Sequence, residues 1–417
     1  MCMLEGEIIK FYRKRAGLTQ EQLGKDICTA THVSKIERGH TQYSEEIIDL
    51  FSARLHIDIK KEIENLQNIE KKLHQWHSSI IMLRKKEADK IKTELERLPF
   101  ISSSNHGVFY QLLLARYYIL NKEGEKAFTI VQHIQKENPQ SSPYERNLLQ
   151  HVIGLCYLEK YNNFSSENRN KAIEAMKGIH PQDYPNREYH YHLAVAYHWV
   201  ESKTMAYLHA EKALHFFKET NNFFRAIQSE AVMLLQKESA TKAELDLKIA
   251  RYHQLIEDCD AISADEIKAM LLHNAGLECF KRKEYASAHP FYKSALKMAD
   301  KNKVIYLNRL YNYADNCMEG KLIPQKSLLK LAEDGLASAK KMNSILYKIL
   351  FTLLSYKIKN AFEEYYLYIE ESGLPFFQTN NQKTMIDKFG KQLYTHYTET
   401  EQYEKAVRIA DGFIQQQ

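Results

Sequence analysis

Between Arg15 and Arg38 the chain gathers side chains suited to one task, contact with a nucleic acid: Arg15, Gln20, Thr29, Thr31, His32, Ser34, Lys35 and Arg38. Cationic groups meet phosphates, while hydroxyl, amide and imidazole groups donate to and accept from base edges in the DNA major groove. From Lys10 to Arg38 seven Lys and Arg stand against three acids. The whole chain carries 58 Lys plus Arg against 53 Asp plus Glu, a net charge of only +5. A polybasic nucleic-acid coat is thereby excluded, and any DNA contact must be local.

A second set lies far downstream: Arg225, Gln228, His273, Asn274, Asn308, Tyr311, Asn312, Asp315 and Asn316. A carboxamide donates and accepts at once, which suits the unpaired backbone of an extended peptide. Asn274, Asn308, Asn312 and Asn316, flanked by Tyr311 and Tyr313, are expected to form a ladder of amides about one turn apart. Catalytic patterns are missing: there is no Gly-rich phosphate loop, no GxSxG and no HExxH. His190 with His192, and His74 with His77, lack metal-helix spacing and a third ligand. No cofactor is expected, and the chain reads as a non-enzyme.

The elements that must position the first set are two short helices in LTQEQLGKDICTATHVSKIERG, Leu18 to Gly39. Thr19 with Gln22 forms a capping box opening a helix to about Ile27. A second runs from about Thr31 to Arg38 and stops at Gly39. Leu18, Leu23, Ile27, Val33 and Ile36 point inward and leave the polar set outside. This is the layout of a helix-turn-helix, whose second helix enters the major groove. Thr31, His32 and Lys35 are expected on base edges, with Gln20 and Arg15 on phosphates.

Only 14 Gly and 8 Pro in 417 residues leave few breaks, so the chain reads as all-α. Residues 1–58 form the head. Residues 59–100 form a helical linker with Ile63, Leu66, Ile69, Leu73, Trp76, Ile80, Leu83, Ile91, Leu95 and Leu98 on its apolar stripe. Pro99 and Ser102 to Ser104 mark its end, and 101–417 is a body of helical repeats. Its clearest copy has Gly276, Cys279, Tyr285, Ala288, Tyr292 and Ala295. A second has Ala194, Tyr197, Ala206, Ala210 and Ala213. Weaker ones include Ala231, Leu234, Ala243 and Ala250, and Tyr397, Tyr403, Ala406 and Ala410. Small residues recur where helix pairs approach closely, and spacings of about 35 to 45 residues imply seven to nine pairs in a tetratricopeptide-like superhelix.

Six scattered cysteines without a CxxC pair argue against zinc or a disulfide framework and for a reduced, cytoplasmic setting. The charged N-terminal turns are not a signal peptide, and no 18-residue apolar run implies a transmembrane helix.

LTQEQLGKDI followed by VSKIERG resembles the Xre-type repressor family, although CTATH makes the connection one residue shorter than that family's commonest pattern. Head, linker and repeats together resemble the RRNPP-type peptide-pheromone (quorum-sensing) receptors of Gram-positive bacteria, grouped as Rap, NprR, PlcR and related regulators. The resemblance implies a homodimer or higher oligomer, a short signalling peptide in the repeat groove, a double-stranded inverted-repeat operator at the head, and no membrane partner. In some relatives the body also holds a response-regulator protein, and phage lysis–lysogeny receptors share the plan.

Overall fold

The computed structural model describes residues 2–41, 43–98, 101, 106–137, 140–159, 166–380 and 382–414, and among these every regular element is a helix. The expected boundary residues Pro99 and Ser102 to Ser104 lie outside the described residues, as do the side chains of Ile63 and Leu66. Two compact units are formed, residues 1–159 with 174–186, and residues 160–173 with 187–417. The sequence divisions after 58 and 100 fall inside the first unit.

The head begins with α1 (Cys2–Arg15), α2 (Gln20–Gly24), α3 (Ala30–Glu37) and α4 (Glu45–Leu55). Thr19 Oγ1 accepts from Gln22 N and Gln22 returns its side chain to Thr19 N, the capping box expected. The helix it opens stops at Gly24, not Ile27, because Asp26 turns left-handed at φ 60°. Arg54 of α4 then donates to the carbonyls of Leu23, at 3.0 Å, and Lys25, satisfying the end of α2. The next helix starts one residue early, with Thr29 as its N-cap, and ends before Gly39, whose φ of +67° lets it donate back to Ile36 O. Leu23, Val33 and Ile36 are fully buried, while Leu18 and Ile27 are only half-buried. The linker is two helices, α5 (Ile59–Ile81) and α6 (Lys85–Glu96). Ile69, Leu73, Trp76 and Leu95 are fully buried. Leu83, expected on the helical stripe, is instead the left-handed residue between the two, at φ 58°.

Seven further helices, α7 (Gly107–Leu120), α8 (Gly124–Glu137), α9 (Pro143–Glu159), α10 (Ser166–Lys177), α11 (Tyr189–Trp199), α12 (Lys203–Glu219) and α13 (Phe223–Gln236), lead into the second half of the body. There α14 (Lys242–Ala261), α15 (Asp265–Lys281), α16 (Tyr285–Lys297), α17 (Val304–Glu319), α18 (Gln325–Lys341) and α19 (Ile345–Ile358) follow. A π-turn, Ile369–Gly373, then joins α20 (Phe362–Tyr368) to α21 (Leu374–Thr379), before α22 (Lys383–Glu399) and α23 (Tyr403–Ile414). Counting α19 with α20, eight helix pairs result among the described residues.

The small-residue logic is visible at Gly276. A Cβ built there would stand 2.9 Å from the ring of Tyr292, so the glycine of α15 and the aromatic of α16 are one packing decision. Ala194, Ala206, Ala210 and Ala213 are fully buried in the same manner. Two weak copies depart from expectation. Ala243 and Ala250 are exposed, because α14 turns Leu245, Lys248, Tyr252 and Leu255 inward instead. Tyr403 is 59% exposed at the start of α23 rather than packed between helices.

Candidate DNA-reading face and peptide groove

The head presents its polar set unevenly. Thr31 and Lys35 are exposed on α3 and Arg38 is exposed at its C-cap, at positions i, i+4 and i+7, with His32 and Ser34 half-buried beside them. Arg15 is exposed at the end of α1. Thr29 is also exposed, but its hydroxyl accepts from His32 N at 3.3 Å as the N-cap, so it shapes the helix start.

Gln20 differs from expectation. Its Nε2 donates to Glu37 Oε2 at 2.8 Å, inside a network in which Arg13 holds Glu37 with Nε at 2.5 Å and Nη2 at 3.0 Å. The remaining Arg13 nitrogen donates to Leu18 O at 2.8 Å. Gln20 is therefore held inward rather than left to meet phosphate, and Arg13 is removed from the basic surface together with Glu37. That exchange leaves Lys10, Lys14, Arg15, Lys25, Lys35 and Arg38 exposed against Glu21 and Asp26, so the positive excess survives.

In the repeat body α15 and α17 meet through amides and an imidazole. Asn312 Nδ2 donates to His273 Nε2 at 2.8 Å and reaches Asn308 Oδ1 at 3.5 Å, while His273 also bonds Asn274. Burial, and then the nearby Arg309 charge, push the His273 imidazole down to about 4, so at neutral pH it is an uncharged acceptor for Asn312. With both Asn312 hydrogens engaged, Asn312 Oδ1 and Asn308 Nδ2 are left as an acceptor and a donor on two half-buried side chains one turn apart.

Other members of the expected set have different duties. Asn316 is fully buried and its Nδ2 donates to Tyr285 O at 3.1 Å, which makes it a brace between α17 and α16 rather than a rung of the ladder. Tyr311 is 7% exposed and packs edge-on against Phe351 in the apolar core, because its position on α17 faces α19. Asp315 is 6% exposed and pairs with Lys388 at 3.2 Å. Asn274 is buried beside His273. Arg225 and Gln228, on α13, are bonded to each other at 3.0 Å, and Arg225 also lies over the Tyr191 ring at 4.6 Å and 3.8 Å from Glu188. The structure thus joins His273, Asn274, Asn308 and Asn312 in one network and holds Arg225 with Gln228 in another. Lys388 was not legible as the partner of Asp315, since nothing in a local pattern links the two.

No group of His, Cys, Asp and Glu among the described residues is placed to hold a metal ion. His190 is bonded to His209 at 3.0 Å instead. No helix among the described residues is long and apolar enough to cross a membrane.

Residues 9–61 match the helix-turn-helix family model. Over 402 residues, 92% of this chain and 96% of the relative, the chain is 22% identical to the transcriptional activator NprA of Geobacillus stearothermophilus. Response regulator aspartate phosphatase I of Bacillus subtilis (strain 168) is 21% identical over 252 residues, 58% of this chain and 64% of the relative. The crystal structure of NprR in complex with its cognate peptide NprX superposes with a TM-score of 0.65 at 19% identity, covering 84% of this chain and 97% of that one. The fold is thus a helix-turn-helix head on a tetratricopeptide-like helical body. Over nearly its whole length the chain is similar to these regulators and receptors, and residues 9–61 carry the helix-turn-helix match.

Proposed function

We propose that this protein is a cytoplasmic, peptide-responsive transcriptional regulator with no catalytic activity of its own, acting as a dimer on duplex DNA. The observation that carries the reading is the amide network of α15 and α17. It satisfies itself internally yet leaves Asn308 Nδ2 and Asn312 Oδ1 as a donor and an acceptor pair suited to a peptide backbone. Support comes from the relatives: NprR is described with a bound peptide and NprA as an activator. Arg225 and Gln228 extend the binding surface along α13. The ligand it takes is a peptide of about five to ten residues, extended at ~3.3 Å per residue.

At the other end, Thr31, His32 and Lys35 read base edges while Arg15 and Arg38 meet phosphates, with Ser34 beside them and Thr29 holding the helix start. A two-fold dimer matches an inverted repeat, because one small head buries too little surface to bind tightly alone. Division of the chain into a head (1–58), a linker (59–100) and a peptide-binding body (101–417) assigns each task to one segment.

The experiment is isothermal titration calorimetry of peptides that co-purify with the full chain, against wild type and against Asn308→Ala with Asn312→Ala. Loss of about tenfold or more in affinity is expected, at ~1 kcal/mol for each unpaired group. Unchanged affinity places the peptide elsewhere.

A further inference from the structure

Thr384, Lys388 and Gln392 stand at four-residue intervals on α22, and each is bonded to a different element of the repeat body. Thr384 Oγ1 donates to Glu201 Oε1 at 2.9 Å, in the turn between α11 and α12, across 183 residues of sequence. Lys388 Nζ lies 3.2 Å from Asp315 Oδ2 on α17. Gln392 Oε1 accepts from Tyr365 of α20 at 2.6 Å. In a stack of repeats each unit ordinarily touches only its neighbours. The last tie is of that kind, whereas the first two skip intervening repeats.

The skipping ties are unequal in strength. Thr384 and Glu201 are both exposed, so their bond competes with water. The Asp315 side chain is only 9% exposed, against 37% for Lys388, so withdrawing the ammonium would strand a largely desolvated carboxylate. Asp315 lies three residues beyond Asn312 and seven beyond Asn308, on the same face of α17. Lys388 therefore reaches to the end of the amide pair, and the rings of Tyr311 and Phe389 flank its ammonium at 5.9 and 5.6 Å.

We infer that α22 is a clasp: its polar stripe ties the last helix pair back to the α11–α12 turn and to α17, closing the groove. Opening it requires Lys388 to leave Asp315. That the groove takes a ligand rests on the function proposed above, but the clasp itself is tested without any ligand.

The test is a pulsed dipolar distance measurement on the full-length protein, with spin labels carried by non-natural residues at Ser202 and Lys383. Wild type and Lys388→Arg are expected to give one narrow, short distance. Lys388→Met combined with Glu201→Ala should give a longer, broadened distribution, with helical content by circular dichroism unchanged. The exchanged pair Lys388→Asp with Asp315→Lys should bring the narrow distance back. A short distance that persists in the Met/Ala variant would show that stacking of repeats alone sets the spacing, and a broad distribution already present in wild type would show that no clasp holds; either result overturns the inference.

Discussion

Arg13 of α1 and Glu37 at the end of α3 form a two-pronged ion pair, Nε to Oε1 at 2.5 Å and Nη2 to Oε2 at 3.0 Å, with both residues less than a tenth exposed. The last turn of α3 is thereby fixed against the first helix of the head, and Gln20 joins the same carboxylate from α2. Removing one partner of such a pair strands a buried charge, at a cost of about 3–5 kcal/mol. Arg13→Met is expected to lower the unfolding midpoint of the head and to abolish its DNA binding. Arg13→Met with Glu37→Met should recover most of the stability, and a midpoint unmoved by the single change would show that the pair holds nothing.

On the exposed stripe of α3 the expectation is loss of specificity rather than of folding. Each good base contact is worth about 1–3 kcal/mol of discrimination. Changing Thr31, His32 and Lys35 together to Ala should leave thermal unfolding intact and erase preference between a selected duplex and a scrambled one. Retained preference in competition binding would refute the assignment of that face.

Asn316 separates bracing from binding. Asn316→Ala removes a fully buried amide from Tyr285 O, so it should destabilise the repeat body by about 1–3 kcal/mol. Ligand affinity should change far less than in Asn308→Ala with Asn312→Ala. Chemical denaturation and calorimetry on the two variants distinguish the roles, and equal loss of affinity in both would contradict the division.

Acid sensitivity follows from the buried imidazoles. Burial is the main cause that pushes His190 down to about 3 and both His209 and His273 to about 4, from the usual 6.5. Unfolded chains bind the protons that the folded body refuses, so stability is full above about pH 6.5 and falls as pH drops toward 4. A melting curve of the body measured from pH 7.5 to 4.5 should show that loss, and His273→Gln should flatten it. A midpoint constant over the range would contradict neutral, buried histidines.

Much of this architecture was legible from local chemistry. The Thr19–Gln22 capping box, Gly39 and the inward Leu23, Val33 and Ile36 are short-range signals, and the Gly276–Tyr292 contact follows from repeat spacing. Turns were harder to read because residues other than glycine take the left-handed position: Lys122, Glu201, Lys283, Lys321, Asn360 and Glu401 all have φ between 50° and 63°. Each donates back into the helix before it, as Lys283 N does to Phe280 O, which offsets a strain of roughly 1–2 kcal/mol. The candidate sites were legible only in part. Asn308 and Asn316 are alike in sequence, and what separates them is the phase of α17. One is half-buried and accepts from Asn312, and the other faces the Tyr285 carbonyl of the previous pair. Gln20 was misplaced for a similar reason, since its partner Glu37 lies 17 residues away.

We propose that one chain reads DNA with α3 and is controlled through Asn308 and Asn312. Selection of a duplex from a randomised pool by the full-length protein, followed by fluorescence anisotropy of that duplex with and without a positional-scanning heptapeptide pool, tests both halves together. The expected result is an inverted-repeat duplex whose affinity shifts with the peptide pool in wild type but not in Asn308→Ala with Asn312→Ala. Failure to select any duplex, or an equal shift in the variant, would contradict it.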